Sequence, residues 1–343
     1  MLYALNEFPR RYEGTAGSRV ILGKAPFRIS FAGGGSDLRA FYEKHSGAVV
    51  STSIDKYMYI MLHPYFHDKI RIKYSKLEDV SRVEDIKHSL VRECLKRLRV
   101  QTGIEIASIA DVPARTGLGS SSSFAVCLLH ILHAYKGRYV SKPELAEMAS
   151  EIEIDILKEP IGKQDQYAAS FGGLNFMRFN PDGTALVEPL ALKPEKIEAL
   201  EKSLLLFYVG GARRASSILG RIKRDIGQGE AFQKTKALVG LAEDLRASLL
   251  KGDIAALGEI LGEGWRLKKS LSRSISNTKI DECYDRAIRA GAVGGKLLGA
   301  GGGGFLLFHC PPKNQGRLRR ALDLRELRFR FENAGSTIIY AGP

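Results

Sequence analysis

The chain has 343 residues, and its 52 Lys and Arg against 38 Asp and Glu give a formal net charge of +14. Its 44% hydrophobic content is enough for a sizeable core, which excludes a disordered tail protein, and its length predicts two domains. The basic excess leaves three explanations open: nucleic-acid binding, an acidic partner surface, or a pocket for polyanionic small molecules.

The longest stretch without charged residues, from Thr116 to Tyr135, contains serines and histidines that a bilayer core would not accept, so we predict no transmembrane helix. The N-terminal residues lack the basic-then-apolar order of a signal peptide, and we expect a cytoplasmic protein. Because the cysteines have no CxxC spacing, we expect buried, reduced thiols. They are Cys94, Cys127, Cys283 and Cys310.

In chain order, a strand is predicted from Val20, ending in the glycines Gly33 to Gly35, after which Asp37 begins a short helix. An amphipathic pattern predicts a helix over residues 83–100. The strand GIEIASIADVP follows, and then a glycine loop at 114–119 leads into the apolar helix SSSFAVCLLHILHAY.

The next helix is marked by a capping box, Ser141-Lys-Pro-Glu144, and its predicted buried stripe extends to Ile152 and Ile156. The segments LNFMRF and TALVEPL predict a hairpin. The strand SLLLFYVG, helices over about 213–290 and the strand FLLFHC complete a fold of the α+β class. We predict an N-terminal extension at 1–19 and two domains at 20–192 and 193–343.

The most informative segment is Pro113-Ala-Arg-Thr-Gly-Leu-Gly-Ser-Ser-Ser-Ser123, between a strand and an apolar helix. Its glycines allow a tight turn, so backbone amides and the helix N-terminus can converge on an anion. The segment has no Lys after its glycines, so it does not fit the usual P-loop class. The alternative is an ordinary helix start with a serine cap.

Two further glycine-rich segments stand out. The run from Gly294 to Phe305 does not fit a dinucleotide fingerprint, because a strand follows it where a helix should begin. The run could also be an ordinary flexible loop without a binding role. The segment from Arg28 to Asp37 places a cation and an acid around a glycine turn, although Asp37 could simply cap a helix.

Two carboxylates, Glu153 and Asp165, lie 12 residues apart around a turn that contains Pro160 and Gly162. They could meet at one site, with one holding Mg²⁺ and the other beside a reacting hydroxyl. The alternative is a pair of solvated or capping acids.

In this order, KAPFRISFAGGGSDL, PARTGLGSSSS, GKQDQYAASFGG and KLLGAGGGGF resemble the motifs of the GHMP kinases, named for galacto-, homoserine, mevalonate and phosphomevalonate kinases. The resemblance extends from about residue 23 to the end. It implies a two-domain fold with a ribosomal protein S5 domain 2-like N-terminal domain and a ferredoxin-like C-terminal domain. It also implies ATP and Mg²⁺ as cofactors.

By this resemblance, Asp165 is the catalytic aspartate and Arg28 is the cation that stabilises negative charge beside it. Glu153 is the acidic Mg²⁺ ligand, with Ser121 or Ser120 as the serine ligand. The glycine loop would bind the ATP phosphates. Its predicted members are Arg115, Thr116, Gly117, Leu118, Gly119, Ser120, Ser121 and Ser122.

Further stretches resemble the D-glycero-D-manno-heptose 7-phosphate 1-kinase branch, which implies phosphorylation of the anomeric hydroxyl of a phosphosugar in bacterial nucleotide-heptose synthesis for capsule, S-layer or LPS glycans. Galactokinases and mevalonate kinases carry Glu-His where this chain has Gly34-Gly35, which leaves space for a larger sugar. Val209 departs from the branch, where Thr is common. The expected substrate contacts are Gly34, Gly35, Ser36, Asp37, Lys163, Gly172, Gly173, Arg213, Arg214, Gly301 and Gly302.

The expected partners are ATP and a small phosphosugar, without nucleic acid or membrane, and the expected state is a monomer or a homodimer. Two basic runs, 213–224 and 266–279, are interpreted as part of a field for these anions. One alternative is a fucokinase-like or galactokinase-like enzyme. The other is a basic protein that binds nucleic acid or a phosphosugar without catalysis, which the absence of a nucleic-acid-binding signature disfavours.

Overall fold

The computed structural model describes residues 19–211, 226–272 and 274–342. Long runs of β-branched and aromatic residues form its strands. They are β1 (Val20–Ala32), β2 (Gly47–Pro64), β3 (Ile70–Lys73), β4 (Leu77–Val80), β5 (Ile104–Ala110), β6 (Leu174–Phe179), β7 (Ala185–Pro189), β8 (Leu204–Gly210), β9 (Gly294–Leu297), β10 (Gly304–His309) and β11 (Thr337–Gly342).

The helices of the described ranges lie between groups of these strands. They are α1 (Arg39–Tyr42), α2 (Ser89–Leu98), α3 (Ser120–Tyr135), α4 (Lys142–Ser150), α5 (Gln164–Phe171), α6 (Pro194–Ser203), α7 (Gly229–Leu250), α8 (Ala256–Leu271), α9 (Thr278–Arg289) and α10 (Pro312–Leu322). A 3-10 turn at Val83–Asp85 precedes α2, and a π-helix at Glu151–Ile156 follows α4 directly.

The strands form two sheets. The larger has the order β11-β1-β2-β5-β3-β4, and β6 and β7 continue from β2. Its long strand β2 pairs with β6 through its first half and with β5 through its second. The smaller sheet has the order β8-β10-β9. Pairing is antiparallel apart from β3 with β5, so the predicted α+β class is confirmed.

The helix α3 lies in the core against β1 and β2. Its central residues, from Ser122 to Leu129, are all buried, which explains why its sequence is apolar on every side. On the smaller sheet, α8 packs against β9 and buries Trp265 completely. Consequently α3, α8 and β9 all contribute to one cleft, which β1 also lines.

Several sequence predictions are confirmed: the strand β1, the β6–β7 hairpin, the capping box at Ser141 and the four buried free cysteines. The helix predicted over 83–100 instead begins at Ser89. The prediction that Ile156 is buried is wrong. This side chain is 44% exposed, because the π-helix changes the residue spacing after α4. The domain boundaries stay predictions. Within the described ranges, no helix has the length and apolar character needed to span a bilayer.

Candidate active site

The centre of the cleft is an ion pair between Arg28 on β1 and Asp165 in the first turn of α5. Arg28 Nε lies 2.7 Å from Asp165 Oδ1 and Nη2 lies 2.7 Å from Oδ2, so the pair is bidentate. Arg28 is only 5% exposed, whereas the side chain of Asp165 is 22% exposed. The arginine therefore fixes a carboxylate that remains accessible from a cavity of about 490 Å³.

The predicted phosphate loop borders the same cavity. Arg28 Nη1 donates to Gly117 O at 2.6 Å, which ties the loop to the ion pair. Gly119 is the N-cap of α3 with φ of 77°, and no side chain caps the first-turn amides. Ser120, Ser121 and Ser122 line the cavity at that point. An uncapped helix N-terminus with hydroxyls around it is suited to bind an anion.

The loop also meets the third glycine segment. Gly117 and Gly299 approach so closely that a Cβ on Gly299 would lie 2.5 Å from the Cα of Gly117. Gly299 has φ of 74°, a conformation that favours glycine. Two glycine-rich segments about 180 residues apart in sequence thus form one wall of the cavity.

Glu153 lies on the π-helix, beside the start of α3, and is 1% exposed. Its carboxylate accepts from Ser121 Oγ at 2.6 Å and from Gln166 Nε2 at 2.6 Å. Burial raises the pKa of Glu153 to about 7, and the nearby charge of Asp165 adds to this effect. No lysine or arginine of the described residues forms an ion pair with Glu153. A buried carboxylate without a cationic partner, beside a serine hydroxyl, is a donor set that fits Mg²⁺.

The first glycine segment forms the floor of the cavity, where Gly34 and Gly35 line it together with Asp37. Asp37 Oδ1 accepts from the Gly35 amide at 2.9 Å, and Oδ2 accepts from the Gln164 amide at 3.2 Å. Burial and the charge of Asp165 raise the pKa of Asp37. Asp37 therefore joins the glycine segment to the start of α5, rather than capping α1 as the alternative proposed.

Some predicted substrate residues do not reach the cavity. Lys163 Nζ donates to both carboxylate oxygens of Glu147 at 3.0 Å and to Gly183 O at 2.8 Å. Ser36 is fully buried and donates to Gly33 O at 2.8 Å. The polar atoms of both residues therefore have partners within the fold, and neither residue lines the cavity, so their assignment as substrate contacts stays a prediction.

The glycines predicted as substrate contacts after α5 and in the third glycine segment also do not line the cavity. Gly172 packs against Ala334, and the Gly173 amide donates to Glu332 O at 2.8 Å. The Gly302 amide donates to Ile275 O at 2.9 Å, next to Gly301. Instead, the third segment contributes Gly299 and Ala300 to the cavity.

In the phosphate loop, Thr116 and Leu118 are buried away from the cavity, and Thr116 Oγ1 donates to Pro113 O at 3.0 Å. Arg115 lines the cavity as predicted. Arg213 and Arg214 lie outside the described residues.

Two lysines of the cavity were not singled out from the sequence, although Lys268 lies in the basic run 266–279. Lys268 on α8 donates to Gly299 O, and Lys296 on β9 donates to Phe31 O at 3.0 Å. Burial, followed by the positive charge of Arg28, lowers the pKa of Lys268 to about 8. Burial and the neighbouring cations also lower the pKa of Lys296, which is 7% exposed. A lone lysine in the apolar strand GGKLL was the available signal.

The opposite end of the cavity is mainly apolar, and its position was not predicted. His88 stacks on Phe124 with ring centroids 5.1 Å apart. Burial lowers the pKa of His88, which favours a neutral imidazole. Met58, Leu90 and Val112 complete this end. Such a surface accommodates a flat aromatic ring.

The comparisons with known proteins agree with this geometry. Two family models match: the GHMP kinases N-terminal domain over residues 88–173 and the GHMP kinases C-terminal domain over residues 245–326. A D-glycero-alpha-D-manno-heptose 7-phosphate kinase from Campylobacter jejuni is 30% identical over 316 residues, which cover 89% of this chain and 93% of that protein.

A solved structure, a D-glycero-D-manno-heptose 1-phosphate kinase from Bacteroides thetaiotaomicron, is similar with a TM-score of 0.78 and 28% identity, over 94% of this chain and 100% of that chain. A bifunctional fucokinase/GDP-fucose pyrophosphorylase from Arabidopsis thaliana is 31% identical over 212 residues, 60% of this chain and 20% of that protein.

The fold and the site define a phosphotransferase for a small molecule, with an anion-binding helix N-terminus beside an arginine-bound aspartate. The chain belongs to the GHMP kinase family, and it is an ATP-dependent kinase.

Proposed function

We propose that this kinase phosphorylates the anomeric C1 hydroxyl of D-glycero-D-manno-heptose 7-phosphate to give the 1,7-bisphosphate, with Mg²⁺ as its metal. The observation that carries the proposal is the Asp165 carboxylate, held by Arg28 in the cavity beside the N-terminus of α3. The similarity to a heptose 7-phosphate kinase over most of both chains supports this substrate.

In this reaction the C1 oxygen attacks the γ-phosphorus of ATP, the bond from that phosphorus to the β–γ bridging oxygen breaks, and ADP leaves. The hydroxyl proton passes to the carboxylate of Asp165. Arg28 neutralises charge at that carboxylate and, through Gly117 O, holds it in register with the phosphate loop. Since phosphoryl transfer depends mainly on positioning and charge, these contacts account for most of what the protein must supply.

Residues around the cavity are suited to hold the metal and the nucleotide. Glu153 and Ser121 would hold Mg²⁺, which neutralises negative charge on the ATP phosphates, and Ser120 at the same helix start is the alternative hydroxyl. The apolar end around His88 and Phe124 would receive the adenine, because a flat base stacks well on such rings.

The proposed context is the cytoplasm of a bacterium, in the synthesis of a nucleotide-activated heptose for surface glycans, where the enzyme would act as a monomer or a homodimer. A bacterial relative and the need for ATP support this context. The enzyme would bind neither nucleic acid nor membrane.

The test is ADP release by the purified kinase with heptose 7-phosphate, compared with galactose, fucose and mannose. We expect the highest kcat/KM on heptose 7-phosphate. The similarity to a fucokinase favours fucose as the second candidate, so faster turnover of fucose would replace the proposed substrate. An active kinase also excludes the non-catalytic alternative.

A further inference from the structure

Two lysine side chains of the cavity have no acidic partner in the part of the chain that the structure describes. Lys268 comes from α8 and Lys296 from β9, two elements that pack together. Each ammonium donates to one backbone carbonyl, Gly299 O and Phe31 O respectively. Among the described residues, neither lysine forms an ion pair. These two lysines are called the lysine pair below.

Such an arrangement is costly in the free protein. A buried ammonium loses its hydration, and one backbone carbonyl replaces only part of that loss. The two charges also repel each other and Arg28. Burial and repulsion lower the pKa of both lysines, so in the free protein they favour the neutral amines. A ligand with negative charge would favour the ammonium forms and compensate their burial.

The two aspartates of the cavity do not compensate the positive charge of the lysine pair. Asp165 is already bound on both oxygens by Arg28. Asp37 accepts from two backbone amides, and its charge reaches Lys268 without forming an ion pair. The lysine pair therefore represents an excess of positive charge in the cavity wall, separate from the arginine that serves the catalytic acid.

The position of the lysine pair indicates which anion it binds. Lys296 is bonded to Phe31 O, three residues before Gly34, and Gly34 forms the floor where the acceptor is expected. The donor phosphates have their own donors at the start of α3. Lys268 is bonded to Gly299 O, and Gly299 lies against Gly117 of the phosphate loop, so the lysine pair extends from the acceptor floor towards that loop. Because the amides at the start of α3 already serve the donor phosphates, we assign the lysine pair to the acceptor.

We propose that Lys268 and Lys296 bind the phosphate group that the acceptor sugar already carries, and that they select phosphorylated over unphosphorylated sugars. This proposal rests on the proposed function. It assigns the distal phosphate to residues other than Lys163, whose ammonium is occupied by Glu147.

The kinetic test compares Lys268→Met and Lys296→Met with a matched control, Lys269→Met. Lys269 is adjacent in sequence, but its ammonium pairs with Asp281 at 3.0 Å and it does not line the cavity. Methionine keeps the length and the apolar stem of the side chain while removing its charge.

For each cavity variant we expect kcat/KM for heptose 7-phosphate to fall about 10- to 100-fold, the range for losing a charge-assisted hydrogen bond. With unphosphorylated D-glycero-D-manno-heptose the change should stay within about threefold, and KM for ATP should not move. The Lys269→Met enzyme should match the wild type. An equal loss on both sugars, or a loss confined to the KM for ATP, would overturn the proposal; the second result would assign the lysine pair to the donor phosphate.

A binding measurement separates this proposal from the proposed function. Calorimetry of inorganic phosphate with the protein saturated with ADP, which occupies the anion site at the start of α3, should detect binding to the wild type and to Lys269→Met, with at least about tenfold weaker binding to each cavity variant. This outcome supports the lysine pair even if heptose 7-phosphate is not turned over. Equal phosphate affinity in all four proteins would refute it. Thermal melting confirms that each variant is folded.

Discussion

The bidentate contact of Arg28 can be tested by a change that keeps the charge and loses the geometry. Arg28→Lys places one ammonium where three guanidinium contacts exist: two at 2.7 Å to Asp165 and one at 2.6 Å to Gly117 O. A lysine can preserve one of them, because its ammonium is a point charge on a flexible stem. The catalytic carboxylate would then be free to rotate away from the phosphate loop.

The magnitude follows from the two lost contacts. At the lower end for hydrogen bonds to charged groups, about 1.5 kcal/mol each, the loss is about 3 kcal/mol. At 1.36 kcal/mol per tenfold, this predicts a fall in kcat of about 10²-fold when the loss falls on the transition state. KM for ATP should stay within about threefold, because the amides of the phosphate loop are retained.

Steady-state ADP release measures this effect, and Arg246→Lys is its matched control. Arg246 also binds a carboxylate bidentately, with Nε at 2.9 Å and Nη2 at 2.8 Å from the oxygens of Glu188, but outside the cavity. The Arg246→Lys enzyme should lose little activity. A kcat for Arg28→Lys within about fivefold of wild type, or an equal fall in Arg246→Lys, would contradict the assigned role of Arg28.

Further predictions concern the acid, the metal and a lysine. Asp165→Asn should lower kcat by about 10²-fold or more while nucleotide binding, measured by calorimetry, persists; undiminished turnover would remove Asp165 from its role. Glu153→Gln should raise the Mg²⁺ concentration needed for half-maximal rate, whereas an unchanged Mg²⁺ dependence would exclude Glu153 as a ligand. Because the pKa of Lys268 is lowered to about 8, its charge is present below that pH and lost above it, so KM for the phosphosugar should rise above about pH 8. Lys268→Arg should remove this rise, and a flat profile in the wild type would refute the assignment.

The sequence was sufficient for the parts of the site that depend on local pattern. A strand followed by glycines predicts β1 and its turn, and a glycine loop before an apolar run predicts the start of α3. The family resemblance then gave Arg28 and Asp165 their roles, and the structure brings the two side chains into contact across 137 positions. That contact itself could not follow from periodicity, since it depends on how α5 packs against β1.

Other features depend on tertiary packing, and there the predictions fail. A regular helix was expected through Ile156, but the chain forms a π-helix that buries Glu153 and exposes Ile156. Lys163 was expected to contact the substrate, yet its ammonium pairs with Glu147 on α4. A positive charge in the sequence does not reveal whether an acid distant in the chain will lie beside it.

The excess of basic residues shows most clearly that the sequence alone does not reveal which charges have partners in the fold. The run 266–279 was interpreted as a field for anionic substrates, but Arg266 pairs with Glu263 and Lys269 pairs with Asp281. Of the basic residues that the structure describes in that run, only Lys268 lines the cavity. The second cavity lysine, Lys296, belongs to neither basic run. Exposed charges are screened by water and salt, whereas a desolvated charge acts strongly over a short range. Substrate recognition should therefore depend on the two buried ammonium groups far more than on the net charge of +14.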